Sequence, residues 1–426
     1  MSGIRVAFDT LGCKLNQAET ESLARELAAA GYELVSSVDE ADVYILNTCT
    51  VTHIADRKSR NLLRQAHRRN GHARLIAIGC YAERSPQELL GIEGVDLVLG
   101  NEEKAQLLGK IGELGLAASS PSTGQWPCDY GRNRSFMKIQ DGCRNFCSYC
   151  IVPLVRRRVT STPVGQVVAE VQSRVADGVK EVVLTGTEVG AYRSDGVDLT
   201  GLLQRVLAET TVPRLRLSSL QPQEITAELL ELWRNRRLCP HFHLCLQSGS
   251  DSVLGRMKRR YRTADYQRAV DMIRKIMPDA AITTDVIVGF PGETEAEFAE
   301  SYEFCQQMGF ARIHVFPYSK RPGTEAAAMP DQVSEEVKRG RVQQMLALAE
   351  ESAHNFKERF LGRTMTVLWE QKANGVWSGY TDNYMRVYTK SNEDLANQLI
   401  PVKLESIYED GVWGRWPDRL IIQSGS

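Results

Sequence analysis

The chain has 426 residues, of which 42% are hydrophobic and 25% are charged, and its formal net charge at pH 7 is −1. These values are typical of a globular protein with two or three domains. They exclude a strongly basic protein, so nucleic-acid binding would require local patches of Lys and Arg, and no apolar run reaches the roughly 20 residues of a membrane-spanning helix.

Residues 1–100 alternate predicted strands with predicted helices. The strands are expected over 4–10, 43–47, 74–78 and 95–99, and the longer helices over 17–30 and 54–69. Alternation of apolar strands with helices is typical of a parallel sheet covered on both faces. We therefore expect an N-terminal parallel-sheet domain over 1–108.

Three cysteines, Cys13, Cys49 and Cys80, each follow the end of one of the first three predicted strands. Because the C-terminal ends of parallel strands lie along one edge of a sheet, where ligands bind, the pattern predicts that the three thiols converge. Three thiolates are one ligand short of the four that a cubane iron–sulfur cluster needs. The alternative is three separate core cysteines, since cysteine is often buried.

Residues 109–128 are rich in Gly, Ser and Pro and are predicted to form a linker. Beyond the linker, six further strands are expected over 135–140, 181–184, 214–218, 241–246, 282–288 and 313–317. The helices that separate these strands are expected over 164–178, 199–210, 226–236, 264–277 and 295–308. Six β/α units predict a partial, TIM-like (β/α)6 barrel within 129–361, which would place its chemistry at the C-terminal ends of the strands.

A CxxxCxxC run, Cys143, Cys147 and Cys150, follows the first of these strands. Three thiolates within eight residues suit a cubane cluster with one iron left open to a ligand that is not protein. A structural zinc site is one alternative, but no second CxxC pair accompanies this run. A disulfide is the other, and it is disfavoured because the N-terminus has no signal-peptide pattern, which predicts a reducing, cytoplasmic location.

Polar and glycine residues at other strand ends predict a pocket for a small polar cofactor above the open iron. Glu188 is placed to accept a hydrogen bond from an ammonium group, and Asp285 begins a glycine-bearing turn. Alternation along 241–246 places His241 and His243 on an inward polar face, although a histidine there is also commonly a satisfied core residue. The candidate cofactor-binding residues are Gly186, Glu188, Gln247, Ser248 and Asp285.

A long helix is expected over 334–361, and a small all-β module follows over 362–426. Its strands are expected over 364–370, 377–381, 385–390, 400–407 and 420–423, with hairpin turns at Asn374-Gly375 and Asp410-Gly411. Four of the six tryptophans of the chain lie in this module. We expect most of its aromatic side chains to be core, so that RNA contacts would depend on stacking and shape.

Three groups of basic residues are candidates for contact with a nucleic acid, and an ordinary solvated surface is the alternative for each. The first group lies on the predicted helix over 54–69 and consists of Arg57, Lys58, Arg60, Arg64, Arg68 and Arg69. The second is the run Arg156-Arg157-Arg158, and the third lies within 256–262.

Together, these motifs resemble those of the radical S-adenosylmethionine (SAM) methylthiotransferases over nearly the whole length. The matching segments are Thr10-Leu-Gly-Cys-Lys-Leu-Asn-Gln, Asn47-Thr-Cys-Thr-Val-Thr, Ile78-Gly-Cys-Tyr-Ala, the CxxxCxxC run, Gln247-Ser-Gly-Ser, Val288-Gly-Phe-Pro-Gly-Glu and Phe316-Pro-Tyr-Ser-Lys-Arg-Pro-Gly-Thr. The terminal β module resembles the RNA-binding TRAM domain of that family. One departure lies after Ile151-Val-Pro, where Arg157 stands in place of a family glycine and Thr162 in place of an arginine.

The resemblance is strongest to the branch that modifies N6-threonylcarbamoyladenosine at position 37 of tRNA. Asp56-Arg-Lys-Ser-Arg and Gly379-Tyr-Thr-Asp-Asn-Tyr-Met-Arg-Val-Tyr carry that similarity. Other branches act on isopentenyladenosine in tRNA or on a ribosomal-protein aspartate, and these remain alternatives. A non-catalytic iron–sulfur RNA-binding protein is a further alternative.

The resemblance implies two [4Fe–4S] clusters and SAM. The Cys143/Cys147/Cys150 cluster would cleave SAM to a radical that removes hydrogen from carbon 2 of the adenine, and the Cys13/Cys49/Cys80 cluster would present the sulfur. The implied partners are the tRNA anticodon loop and a low-potential electron donor of the flavodoxin or ferredoxin kind. No membrane association is implied, and the sequence leaves the sulfur donor and the oligomeric state open.

Overall fold

The computed structural model describes residues 3–116 and 133–416. Most of the predicted linker and the predicted strand over 420–423 therefore lie outside the described residues. The described start of that linker was predicted wrongly, because Leu107–Glu113 is a helix with Ile111 in the core. The chain divides into two compact units, and each unit is built from several segments. The first unit comprises Met1–Pro163, Leu184–Ser194 and Ser319–Pro330, and the second comprises Val164–Val183, Asp195–Tyr318 and Asp331–Ser426.

The first unit contains a five-stranded sheet that is parallel throughout, as predicted, with the strand order β2-β1-β3-β4-β5. The strands of this unit are β1 (Arg5–Thr10), β2 (Glu33–Val35), β3 (Val43–Thr48), β4 (Arg74–Gly79), β5 (Val95–Leu99), β6 (Arg134–Lys138), β7 (Gln140–Asp141) and β8 (Thr160–Ser161). Every residue of the central strand β3 is buried. Strand β2 has only three residues and was not predicted.

Helices cover both faces of this sheet. The helices of the first unit are α1 (Lys14–Ala29), α2 (His53–Arg69), α3 (Cys80–Arg84), α4 (Pro86–Leu90), α5 (Leu107–Glu113) and α6 (Val152–Val155). Leu23 and Leu27 of α1 pack in one core layer, whereas Leu63 and Ala66 of α2 pack in the other. The two layers arise because both faces of a parallel sheet of apolar strands must be covered.

The chain passes between the two units within strand β9 (Glu181–Thr185), and two short strands follow, β10 (Arg193–Ser194) and β11 (Val197–Asp198). The second unit has a parallel sheet with the order β13-β14-β15-β16. Its strands up to residue 318 are β12 (Arg214–Leu217), β13 (Ser219–Leu220), β14 (His241–Leu244), β15 (Ala281–Val288) and β16 (Arg312–Pro317). Its helices are α7 (Val164–Ala176), α8 (Leu199–Glu209), α9 (Ala227–Glu231), α10 (Asp251–Arg256), α11 (Thr263–Ile276), α12 (Glu295–Met308) and α13 (Glu335–Glu358).

After α13, five strands close into a small barrel with the order β17-β18-β19-β21-β20. They are β17 (Thr364–Ala373), β18 (Val376–Thr381), β19 (Arg386–Lys390), β20 (Leu399–Tyr408) and β21 (Gly411–Arg415). Trp369 and Trp377 lie in the barrel core. Asn374 and Gly375 have φ of 50° and 79°, as a tight hairpin turn requires.

Strand β21 was not predicted, and Gly411 explains why. A glycine read as a turn residue here begins the strand, and a Cβ at this position would lie 2.4 Å from the carbonyl oxygen of Arg386. The turn itself has Glu409 in the left-handed region, with φ of 47°. None of the helices in the described ranges is both long and apolar enough to cross a bilayer.

Candidate active site

The sheet edge of the first unit gathers three thiols. Cys13 immediately precedes α1, Cys49 directly follows β3, and Cys80 is the first residue of α3. Burial, together with the neighbouring Cys80 and Cys13 thiols, raises the pKa of the Cys49 thiol to about 12. The three sulfurs are therefore close enough that a negative charge on one thiolate makes it harder for a neighbouring thiol to lose its proton. A bound metal cation would remove this repulsion.

Close backbone approach and a buried amide hold these loops together. A Cβ on Gly12, where φ is +101°, would lie 2.8 Å from the Cys49 Sγ, so the approach of the two loops requires glycine. The buried Asn16 side chain donates to the Leu11 carbonyl at 2.8 Å and to the Thr48 carbonyl at 3.0 Å. Asn16 thereby joins the segment that carries Cys13 to the segment that carries Cys49.

A second group of three thiols lies in the same unit, on the loop between β7 and α6. The N–H of Cys150 donates to the carbonyl of Cys147 at 3.0 Å, which folds the CxxC half into a turn. Phe146 has φ of 46° and its side chain is 65% exposed. Burial is the main cause that raises the pKa of the Cys143 thiol, and the Glu188 carboxylate adds to the rise. A backbone hydrogen bond from Asn145 opposes it, and the resulting pKa is about 11.

Glu188 lies directly beside the CxxxCxxC loop. The Cys143 thiol donates to its carboxylate at 3.3 Å and the Asn145 side chain donates at 2.6 Å. Its own backbone N–H donates to the Gln140 side chain at 2.7 Å. Gly186 makes this approach possible, since a Cβ there would lie 2.8 Å from the Gln140 carbonyl oxygen. The structure thus brings two of the predicted cofactor-binding residues next to the predicted cluster thiols.

The remaining predicted cofactor-binding residues, Gln247, Ser248 and Asp285, fall in the second unit. Gln247 has φ of 68°, and its N–H donates to the Asp285 carbonyl at 2.8 Å. The Ser248 hydroxyl accepts from the Ser250 N–H at 3.2 Å, so it stabilises its own turn. Strand β14 ends at Leu244, two residues before the predicted end, because this irregular turn replaces the ladder.

The predicted polar face of β14 is present and buried. His243 Nε2 lies 3.2 Å from the Asp285 carboxylate, and His243 Nδ1 lies 3.0 Å from the Thr283 hydroxyl. Burial opposes a charge on this imidazole, but Asp285 and Cys245 outweigh it and raise the pKa of His243 to about 10. His314 of β16, which the sequence analysis did not select, offers a ligand atom within 4.8 Å of those of His243 and Asp285.

Arg156 connects the surroundings of the two thiol groups within the first unit. Its guanidinium is buried and donates to Glu19 at 2.8 and 2.9 Å, to Asp141 at 2.8 and 2.9 Å, and to Asn16 at 2.9 Å. Glu19 also pairs with Lys104 and Lys138. Arg156 thus contacts a residue three positions after Cys13 and a residue two positions before Cys143.

The other two arginines of this run are solvent-facing. Arg157 donates to the Leu154 carbonyl at 3.1 Å, and Arg158 pairs with Glu102 at 3.1 Å. The departure at Arg157 is therefore an exposed substitution that leaves Arg156 in place. Gly142, with φ of +74°, allows this loop to pass closely, because a Cβ there would lie 2.2 Å from the Arg158 carbonyl oxygen.

Arg321 is a site residue that the sequence analysis did not single out. It is 1% exposed and donates to the Thr50 hydroxyl at 2.8 Å and to the Asp56 carboxylate at 2.7 Å. Asp56 in turn accepts from Thr50 at 2.6 Å and from Arg84 at 3.1 Å. This network holds the residue that follows Cys49. The signal in the sequence is the segment Lys320-Arg-Pro-Gly-Thr, which is part of the family resemblance.

Two family models match the chain. The model described as Uncharacterized protein family UPF0004 matches residues 5–100, and the model of the Radical SAM superfamily matches residues 137–305. The first match includes Cys13, Cys49 and Cys80, and the second includes the CxxxCxxC run.

Curated relatives match almost the whole chain. It is 39% identical over 423 residues to the Threonylcarbamoyladenosine tRNA methylthiotransferase MtaB of Bacillus subtilis, covering 94% of this chain and 93% of the relative. The protein of the same name from Thermotoga maritima is 38% identical, with 96% of each chain covered. The tRNA-2-methylthio-N(6)-dimethylallyladenosine synthase of Syntrophotalea carbinolica is 32% identical, with 96% and 98% covered.

Among solved structures, the chain is similar to the radical S-adenosylmethionine methyltransferase TsrM from Kitasatospora setae. The TM-score is 0.57 at 17% sequence identity, and the match covers 76% of this chain and 75% of that chain. At this identity the similarity concerns the fold.

Proposed function

This chain belongs to the radical SAM methylthiotransferase family, in its threonylcarbamoyladenosine branch, and we propose that it converts N6-threonylcarbamoyladenosine at position 37 of tRNA into its 2-methylthio derivative. Identities of 38–39% to relatives of that name, over nearly the full chain, support the branch. The observation that carries the chemistry is the presence of two groups of three thiols in one compact unit, linked by Arg156.

The donor sets fit two [4Fe–4S] clusters. Cys13, Cys49 and Cys80 would hold one, Cys143, Cys147 and Cys150 would hold the other, and each set leaves one iron without a protein ligand. When bound, the clusters and SAM would supply the radical cleavage and the sulfur that the reaction needs. Cys49 and Cys143 have raised pKa values, so assembly would release protons as these thiols become thiolates.

Residues around the thiols would position these groups. Glu188, held by Gln140 and Asn145, would accept a hydrogen bond from the ammonium group of SAM. Arg156 places a positive charge near Cys80 and Cys13, where it would offset the negative charge of the thiolates. We also propose Gln247, Ser248 and Asp285 as SAM-binding residues, and Gly186 allows the backbone beside Glu188 to approach Gln140 closely.

The family also supports finer assignments of the architecture. We assign 1–108 to the N-terminal methylthiotransferase domain, 129–361 to the radical SAM core with a partial (β/α)6 barrel, and 362–426 to a TRAM domain. The closed five-stranded barrel supports the last assignment. The partners would be the tRNA anticodon loop and a flavodoxin- or ferredoxin-like electron donor.

Mass spectrometry of tRNA nucleosides from cells with and without the gene tests the proposed substrate. The 2-methylthio derivative of threonylcarbamoyladenosine should disappear when the gene is removed and return with the wild-type gene. Loss of the isopentenyladenosine derivative instead would assign the chain to the other tRNA branch. No change in any tRNA nucleoside would refute a tRNA substrate.

Two cysteine variants separate the roles of the two thiol groups. Cys147→Ala should abolish formation of 5′-deoxyadenosine from SAM. Cys49→Ala should retain that cleavage and lose sulfur insertion. If the Cys49 variant still methylthiolates tRNA, the assignment of the second cluster is wrong.

A further inference from the structure

Helix α2 presents an exposed face that begins four residues after Cys49. Spacings of three and four residues place Ile54, Arg57, Asn61, Arg64 and Arg68 on one side of the helix, and all five are exposed. Lys58 is exposed beside them. We call Arg57, Lys58, Arg64 and Arg68 the basic face of α2.

The structure separates these four cations from the other basic residues of the helix. The Arg60 guanidinium binds the Tyr81 hydroxyl and lies 3.8 Å from Glu88, and Arg69 is paired with Asp39. The four side chains of the basic face make neither a hydrogen bond nor an ion pair to any other residue within 3–116 and 133–416. Asp56, the one acidic residue of α2, is buried against Arg84 and Arg321.

The stability of the helix does not account for these charges. The helix macrodipole stabilises a cation in the last turn, where Arg68 lies. It does not stabilise the cations Arg57 and Lys58, which lie near the N-terminus of the helix. Arg64 and Arg68 are four residues apart, and like charges at that spacing are mildly destabilising. A row of exposed cations without counter-charges on its own helix is complementary to an external polyanion.

The position of the face indicates which polyanion fits. Val51 and Ile54, which lie between Cys49 and the cations, are 50% and 53% exposed. From Arg57 to Arg68 the helix axis advances about 16 Å, at about 1.5 Å per residue. That length matches about five stacked nucleotides at about 3.4 Å each. Two exposed apolar side chains beside the Cys49 segment, followed by a row of cations, suit a nucleic-acid strand with one base near the thiols and its phosphates along the helix.

We propose that the basic face of α2 binds the phosphate backbone of the RNA substrate, and that Val51 and Ile54 contact a base beside Cys49. This inference rests on the proposed function, because it requires an RNA substrate. It adds an RNA-binding surface on the first unit to the one expected for the C-terminal barrel. An acidic protein, such as the electron donor, would match the positive charge of this face but would not explain the exposed apolar side chains of Val51 and Ile54.

The test compares two full-length triple variants with equal loss of charge, each carrying its iron–sulfur clusters. The first variant combines Arg57→Gln, Arg64→Gln and Arg68→Gln. The control combines exposed arginines of the second unit, Arg205→Gln, Arg236→Gln and Arg339→Gln. Glutamine is a good helix former, so both variants should retain the visible cluster absorbance and the denaturation midpoint. The measured quantity is the dissociation constant for a labelled tRNA at several salt concentrations.

The first variant should bind tRNA about tenfold more weakly or worse, and the control should bind within about twofold of wild type. Loss of three phosphate contacts should reduce the slope of log K against log salt by about 2. Unchanged affinity and slope would overturn the proposal. In that case, turnover that falls with a reduced flavodoxin but not with dithionite would identify the face as the electron-donor surface.

The outcomes also distinguish this inference from the proposed function. If wild type binds tRNA through this face but leaves tRNA nucleosides unmodified, the function is wrong and the surface stands. If wild type methylthiolates tRNA and the triple variant binds tRNA with wild-type affinity, the proposed RNA-binding surface is wrong and the proposed function is retained.

Discussion

Replacing Arg156 with glutamine removes a buried guanidinium that makes five hydrogen bonds to Glu19, Asp141 and Asn16. Breaking a buried ion pair by removing one partner costs about 3–5 kcal/mol, because the other charge is left without compensation. Glu19 retains Lys104 and Lys138, so we expect the lower end, about 3 kcal/mol.

The measurement is denaturant unfolding followed by circular dichroism, analysed at the first transition because a chain of two units need not unfold in one step. Arg157→Gln is the matched control. Arg157 is the next residue, is exposed, and makes one hydrogen bond to a carbonyl, so its loss should cost less than about 0.5 kcal/mol.

A double-mutant cycle sharpens the test. Glu19→Gln removes the main partner of Arg156, so the two changes together should cost clearly less than their sum. Equal midpoints for Arg156→Gln and Arg157→Gln, or full additivity with Glu19→Gln, would refute the view that Arg156 stabilises the first unit through this network.

Three further predictions concern the site. Glu188→Gln should raise the dissociation constant for SAM about tenfold or more, because a hydrogen bond to a charged group is worth about 1.5–3 kcal/mol. Equilibrium dialysis with the cluster present would measure this constant, and an unchanged value would exclude the contact between Glu188 and the ammonium group. In Arg321→Lys the ammonium group cannot reproduce the paired hydrogen bonds to Thr50 and Asp56. The rate of sulfur insertion should therefore fall by at least about tenfold, while 5′-deoxyadenosine forms at the wild-type rate. Mass spectrometry of both products would measure the two rates, and an equal fall in both would contradict this role. The pKa of His243 is raised from 6.5 to about 10, so the stability that its charged form contributes is fully present below pH 6.5 and is lost as the pH rises through 10. Asp285→Asn should flatten this part of the pH–stability curve measured by denaturant unfolding. An unchanged slope would contradict the pairing of His243 with Asp285.

The sequence predicted the parts of the molecule that follow from local pattern. Apolar strands alternating with helices identified β1, β3, β4 and β5 within one or two residues. The rule that parallel strands end at one edge of a sheet predicts that Cys13, Cys49 and Cys80 lie near one another. Helices α2 and α12 were predicted within one residue of their observed bounds, and each begins after a threonine whose side chain caps it, Thr52 and Thr294.

Features that depend on long-range contacts were missed for a physical reason. Arg156 pairs with Glu19 across more than a hundred residues, and no local pattern distinguishes it from the exposed Arg157 and Arg158. Strand β2 is too short to show a period, and it exists because β1 offers it a hydrogen-bonding edge. Gly411 resembled a turn residue because the need for its small size comes from Arg386, on a different strand.

The first unit is assembled from three separate stretches of chain, and this has a consequence for biogenesis. Arg321 reaches Asp56 across 265 positions, so the hydrogen-bonded network beside Cys49 is incomplete until the ribosome has made residues 319–330. Closing so large a loop is slow and entropically costly. The N-terminal cysteines therefore emerge well before their surroundings exist, and cluster insertion into this site should follow, rather than accompany, synthesis of most of the protein. A fragment ending at residue 108 should fail to hold iron stably for the same reason.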